Sequence, residues 1–141
     1  TLSSSYNPLS ILFLLVIIWS SDSAGYFFGI KYGKRKLMES VSPKKTVVGF
    51  VSGILSSIIV SIIFAMIINF ENIFELILIG ISISFIGSIG DLIESKFKRQ
   101  YEVKDSGKIL KSHGGMFDRL DSLIFVAPFV YLLYNFKILL L

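Results

Sequence analysis

Four apolar segments separated by short charged loops constrain this chain more than any other feature. They cover residues 8–30, 46–70, 76–93 and 120–141, and each is close to the roughly 20 residues that a helix needs to cross a bilayer. The mean hydropathy of +0.75 agrees with membrane insertion. We therefore predict an all-α fold, a polytopic transmembrane helical bundle with about four spans, forming a single membrane-embedded region over residues 1–141.

The positive charges of the chain are concentrated in two loops. Of the 14 basic residues, six lie in residues 31–45 and seven in residues 96–119. Two spans separate these loops, so both fall on one side of the membrane, and the positive-inside rule predicts that this side is cytoplasmic. Such basic loops favour anionic lipids or nucleotides as partners, rather than nucleic acid. The chain has no cysteine, which excludes disulfide and zinc-thiolate chemistry for these residues.

Several polar or helix-breaking residues mark special positions in the spans. Asp22 lies well inside the first span, where a carboxylate costs roughly 2.5–3.5 kcal/mol on insertion scales, so it should face a cavity or a partner. Ser42 and Pro43 are predicted to be the N-cap and first turn of the second span. Lys44 and Lys45 would then lie in that first turn, where the helix dipole disfavours cations and a bound anion would offset the conflict. Pro128 is expected to break the last span.

Asp91 and Asp118 are the leading candidates for metal ligands. Asp91 follows Gly90 at the end of a span, and Asp118 follows the glycine pair 114–115. Two carboxylates from two elements suit magnesium, which also takes phosphate oxygens and water. The alternative is structural, with Asp91 paired to a lysine at the membrane edge and Asp118 capping the last helix. Spacing alone leaves both readings open.

The neighbours of Asp118 carry a second set of alternatives. Asp121 lies three residues on, on the same helix face, where it could orient a metal or simply favour the helix N-terminus. Arg119 could bind a phosphate through two hydrogen bonds. His113 could act as a general acid, bind a phosphate or be solvated. The basic run at residues 96–99 is a lipid-headgroup anchor or a phosphate clamp.

The stretch 95–121 resembles the signature of the phosphatidate cytidylyltransferase, or CDP-diacylglycerol synthase, family. That signature reads S-x-apolar-K-R, four residues, K-D, small and apolar positions, then H-G-G-apolar-x-D-R-apolar-D. The positions in register are Ser95, Lys98, Arg99, Lys104, Asp105, Gly107, His113, Gly114, Gly115, Asp118, Arg119 and Asp121. Residues 90–95, 42–46 and 22–29 resemble three further family elements, G-D-L-x-E-S, S-P-K-K-T and D-x-x-A-Y-x-x-G. The resemblance covers the C-terminal half of a typical member.

The resemblance implies transfer of CMP from CTP to phosphatidate, with Mg²⁺, alone or with a second cation, held by Asp91 and Asp118. It implies catalytic roles for Asp91, Asp118, Asp121, His113, Lys98, Arg99 and Arg119. It implies substrate-binding roles for Asp22, Ser42, Lys44, Lys45, Ser95, Lys104, Asp105, Gly114 and Gly115. The expected partners are CTP, phosphatidate and the bilayer, with self-association into a homodimer left open. The expected location is the bacterial inner membrane, with the site facing the cytoplasm.

Three alternatives remain at this point. One is a related CTP-using membrane enzyme, such as a polyprenol or phytol kinase or an archaeal lipid cytidylyltransferase. Another is an ion transporter or channel in which Asp22 and Asp91 line the path. The third is that this segment, as half of an enzyme, is inactive alone.

Overall fold

The computed structural model describes residues 8–100 and 117–135, and it confirms the all-α bundle. Three of its helices, α1, α2 and α3, are long and apolar enough to cross a membrane, and the shorter helix α4 has an apolar stretch over Ser122–Leu133. One small hairpin, β1–β2, joins the first two helices. The elements in chain order are α1 Pro8–Tyr32, β1 Lys36–Met38, β2 Ser42–Thr46, α2 Val47–Ile68, α3 Ile73–Gln100 and α4 Phe117–Asn135.

The helices enclose a narrow apolar core and expose large apolar side chains on their outer faces. Phe13, Ile17, Leu76, Ile83 and Val126 are fully buried. Outward-facing aromatic and aliphatic side chains occur on every helix whose side chains are described. That distribution suits a lipid environment, because lipid tails solvate outward apolar side chains and a helix satisfies its own backbone polar groups.

Helices α1 and α2 approach each other closely through small residues. A Cβ atom added to Gly53 would lie 2.8 Å from the Ser21 Oγ atom, and the Ser52 hydroxyl donates to the Ala24 carbonyl at 3.2 Å. Small residues allow helix backbones to meet in a bilayer, where apolar burial gives little drive for association. The small residues around Asp22 thus serve close approach, and α1 runs through them unbroken.

The hairpin corrects the predicted start of the second span. Ser42 and Pro43 belong to strand β2, and the helix N-cap is Thr46, whose Oγ1 accepts from the Gly49 backbone N–H at 3.1 Å. The prediction was wrong because Thr46 is also a good N-cap, and it alone directly precedes the apolar helix. Lys44 and Lys45 therefore lie in β2, before the helix begins.

Helix α2 ends in a tight turn. Asn69 adopts the left-handed conformation at φ 53°, and Asn72 Nδ2 donates to Glu75 Oε2 at 3.1 Å. This turn reverses the chain, and the end of α3 returns to the hairpin, where Lys45 contacts Asp91. That the basic segments 31–45 and 96–119 share one side of a membrane stays a prediction, because part of the second segment lies outside the described residues.

Helix α4 crosses α3 just before Asp91. A Cβ on Gly87 would touch Ser122 and Val126 at 3.5 Å, and one on Gly90 would clash with the Phe125 ring. The expected break at Pro128 is wrong, because α4 continues through that residue. Proline is tolerated in membrane helices when neighbouring groups or small local adjustments satisfy the freed carbonyl.

Candidate functional site

A cavity of about 680 Å³ opens at the hairpin end of the bundle. Its walls come from α1, the hairpin, the first turns of α2 and the last part of α3. It brings together two carboxylates and three lysines with a wall of five glycines. These residues are Asp22, Asp91, Lys36, Lys44, Lys45, Gly25, Gly29, Gly33, Gly49 and Gly53.

The centre of the cavity wall is an ion pair between Lys45 and Asp91. Lys45 Nζ contacts Asp91 Oδ2 and also donates to the Ser88 carbonyl at 3.4 Å. Both side chains are partly buried, with exposed fractions of 28% and 29%. The hairpin therefore folds back so that its second strand presents a lysine to the end of α3. Asp91 thus has the lysine partner that the structural alternative predicts.

Asp22 reaches the same cavity from α1. It lies close enough to Asp91 and Lys45 to interact electrostatically with both. Its position within a span predicts that it faces a cavity, and it does. Two carboxylates from different helices thus line one cavity, and Lys45 forms an ion pair with one of them, Asp91.

The glycines explain why there is space beside these charges. Gly29 and Gly33 lie next to Thr46, and a Cβ on Gly33 would clash with the Thr46 side chain. On α2, a Cβ on Gly49 would lie 3.2 Å from Thr46 Oγ1. Side chains at these positions would push the hairpin from α1 and change the shape of the cavity.

The other predicted residues on α3 and the hairpin lie apart from the cavity lining. Ser42 is at the start of β2, and Ser95, Lys98 and Arg99 are in the last turns of α3, beyond Asp91. Lys98 pairs with Glu94 at 3.2 Å, one helical turn away. The basic run therefore forms a rim at the same end of the bundle as the cavity.

Part of the predicted site lies outside the described residues. Lys104, Asp105, His113, Gly114 and Gly115 fall within residues 101–116, so their predicted roles stay predictions. Asp118, Arg119 and Asp121 are in the first two turns of α4. The Asp118 backbone lies about one helical turn before Ser122 on α4. Ser122 in turn packs against Gly87 of α3.

Sequence reasoning missed some of the groups that build the cavity. Ser88 supplies its backbone carbonyl to Lys45, and Ser21 lines the wall beside Asp22. The sequence could have indicated Ser88 through its spacing. Ser88 lies three residues before Asp91, and residues three apart share one helix face. Lys36 was counted only as one cation of the basic loop, although it also lines the cavity.

Asp22 and Asp91 are the carboxylates of the cavity that could contribute ligands to a hard cation such as Mg²⁺. Both carboxylates line the same cavity. Within residues 8–100 and 117–135, however, no group of three or more His, Cys, Asp or Glu side chains could hold a metal. Magnesium is commonly held by one or two carboxylates together with substrate phosphates and water. A Mg²⁺ ion in this cavity would therefore need further ligands, such as phosphate oxygens and water, beyond the two carboxylates.

Comparison with known proteins supports the signature found in the sequence. Residues 3–137 match the cytidylyltransferase family. The chain is 46% identical over 129 residues to a phosphatidate cytidylyltransferase of Bacillus subtilis, covering 91% of this chain and 48% of the relative. It is 48% identical over 124 residues to the enzyme of that name from Staphylococcus epidermidis, covering 87% and 48%. The chain thus spans about half the length of these relatives.

Proposed function

The chain belongs to the cytidylyltransferase family, and from this premise we propose that the protein transfers the cytidylyl group of CTP to phosphatidate, giving CDP-diacylglycerol and pyrophosphate. The observation that carries the proposal is the cavity in which Asp22, Asp91 and Lys45 meet, at one end of three membrane-length helices. A lipid substrate can keep its acyl chains in the bilayer there while its headgroup enters a polar site.

The proposed reaction is a displacement at the α-phosphorus of CTP. A phosphate oxygen of phosphatidate forms a new bond to that phosphorus, the bond to the β-phosphate bridging oxygen breaks, and the electron pair leaves with pyrophosphate. The nucleophile is already anionic, so the site needs no strong general base. Its main tasks are to hold two polyanions in line and to offset their charge.

Residues of the cavity, together with Asp118 of α4, are assigned these tasks. Lys36, Lys44 and Lys45 supply positive charge from the hairpin, and the CTP phosphates would lie against them. Asp91 and Asp118 are the proposed metal ligands, with Asp22 facing the same space. Mg²⁺ bound there would supply Lewis-acid neutralisation of the phosphate oxygens.

The membrane orientation is also a proposal. Positive residues crowd the hairpin end, which favours the cytoplasmic side of a bacterial inner membrane. This orientation would give the cavity access to CTP. We further propose that the chain is the catalytic half of a longer enzyme. The homodimer stays a prediction, which light scattering of purified protein would test.

The acceptor lipid tests this proposal. Purified full-length protein is given CTP with phosphatidate, with a polyprenol or with no lipid, and pyrophosphate release is followed. Release that requires phosphatidate supports the proposal. Consumption of CTP with polyprenol alone, leaving CDP and a phosphorylated lipid, would assign the protein as a lipid kinase. Ion flux across vesicles without CTP consumption would favour the transporter.

A further inference from the structure

We propose that Lys45 is an exchangeable, tethered cation: it neutralises Asp91 until a divalent cation takes that carboxylate, and it is then displaced toward the phosphates of the nucleotide. The inference deepens the proposed function and rests on it, because it describes how the same site would be loaded. In this role Lys45 controls when Asp91 can bind a metal, in addition to attracting the phosphates of the nucleotide.

The contact between Lys45 and Asp91 is the first step of the argument. Lys45 Nζ meets an Asp91 carboxylate oxygen, and its hydrogen bond to the Ser88 carbonyl holds the ammonium on α3. The pair is partly buried, and a buried charge that loses its partner is strongly destabilising. Lys45 therefore offsets the charge of Asp91 whenever Asp91 holds no metal.

The second step is competition for one carboxylate. An oxygen that accepts from an ammonium group is not free for a metal, and two cations on the same group repel each other. When only a fraction of the molecules can bind a ligand, the apparent affinity is the intrinsic affinity multiplied by that fraction. The Lys45–Asp91 ion pair therefore weakens binding of a divalent cation, and removing the ammonium should strengthen it.

The third step concerns the destination of the displaced ammonium. A lysine side chain is a flexible four-carbon stem, so its head can swing without backbone movement. Lys45 is bordered in the cavity by Lys36 and Lys44, from the same hairpin. Metal binding would replace a neutral ion pair with a metal–carboxylate group and a free ammonium. The net charge of the site would therefore become more positive only after the metal has bound, which is when a triphosphate can be held.

The experiment measures Mn²⁺ binding to the full-length protein in detergent, without nucleotide, by the electron paramagnetic resonance signal of free Mn²⁺. Lys45→Met should tighten binding about tenfold, which corresponds to about 1.4 kcal/mol. Lys45→Arg keeps the charge and can pair with two hydrogen bonds, so it should weaken binding several-fold. Lys44→Met removes the same charge beside the same cavity without touching Asp91, and should tighten binding less than threefold.

The outcomes separate this inference from the proposed function. Asp91→Asn should abolish this Mn²⁺ binding; if it binds Mn²⁺ as the wild type does, the metal assignment itself is wrong. If Asp91→Asn loses binding but Lys45→Met is no tighter than Lys44→Met, the exchange is wrong and the metal site stands. Should Lys45→Met not fold, Lys45→Arg decides: weaker binding supports the exchange, and unchanged or tighter binding overturns it.

Discussion

The backbones of Gly25 and Gly49 meet directly, since a Cβ atom on Gly49 would lie 2.7 Å from the Gly25 carbonyl oxygen. This contact brings α1 and α2 together just beside the cavity. Asp22 on α1 and Lys45 before α2 depend on that approach for their positions. The chemistry of the site therefore rests on a helix interface made of glycines and other small residues.

Replacing Gly49 tests this interface. Gly49→Ala should destabilise the protein by about 1–3 kcal/mol, because the added methyl group must displace a backbone carbonyl. Gly87→Ala is the control, since its methyl group would meet only ordinary contacts at 3.5 Å. Thermal unfolding in detergent should show a lower midpoint for Gly49→Ala alone. Equal midpoints for the two variants would contradict the close packing.

A hydrogen bond between Ser21 and Ser84 offers a second test of packing beside the site. Their Oγ atoms are 2.7 Å apart, and both residues are buried. The variants Ser21→Ala and Ser84→Ala, alone and combined, form a double-mutant cycle. Hydrogen bonds between membrane helices give coupling of about 0.6 kcal/mol, which we expect here. A coupling free energy indistinguishable from zero would show that the two hydroxyls do not interact.

Much of the fold follows from the sequence because apolar length and loop charge determine it. The three membrane-length helices α1, α2 and α3 are readable from the chain. The hairpin was missed because short strands carry no apolar periodicity, and Pro43 resembles a helix start. The Lys45–Asp91 pair joins residues 46 positions apart. Sequence spacing does not show which residues so far apart meet, so a lysine partner and a metal both remained possible for Asp91.

The carboxylates proposed as metal ligands give a direct prediction for turnover. Asp91→Asn or Asp118→Asn in the full-length protein should lower kcat at least about 100-fold, the scale for losing one preorganised electrostatic contact. Glu75→Gln likewise replaces a carboxylate with an amide, in the first turn of α3 at the opposite end of the bundle. It should retain wild-type turnover. Full activity of either aspartate variant with magnesium would remove that residue from the site.

The orientation in the membrane can be measured with single cysteines, because the chain contains none of its own. Asn72→Cys lies in the α2–α3 turn and Glu39→Cys in the hairpin turn. A membrane-impermeant maleimide should label Asn72→Cys in intact cells, and Glu39→Cys only after permeabilisation. The reverse pattern would place the cavity outside and deny it cytoplasmic CTP.

The central claim is that the cytidylyl group, rather than the terminal phosphate, moves to phosphatidate at this site. The most direct measurement incubates the full-length protein with phosphatidate and magnesium and with CTP labelled at either the α- or the γ-phosphate. We predict that α-label enters the lipid fraction, that γ-label leaves as pyrophosphate, and that chelation stops both. Entry of γ-label into lipid, with cytidine left in solution, would contradict the account.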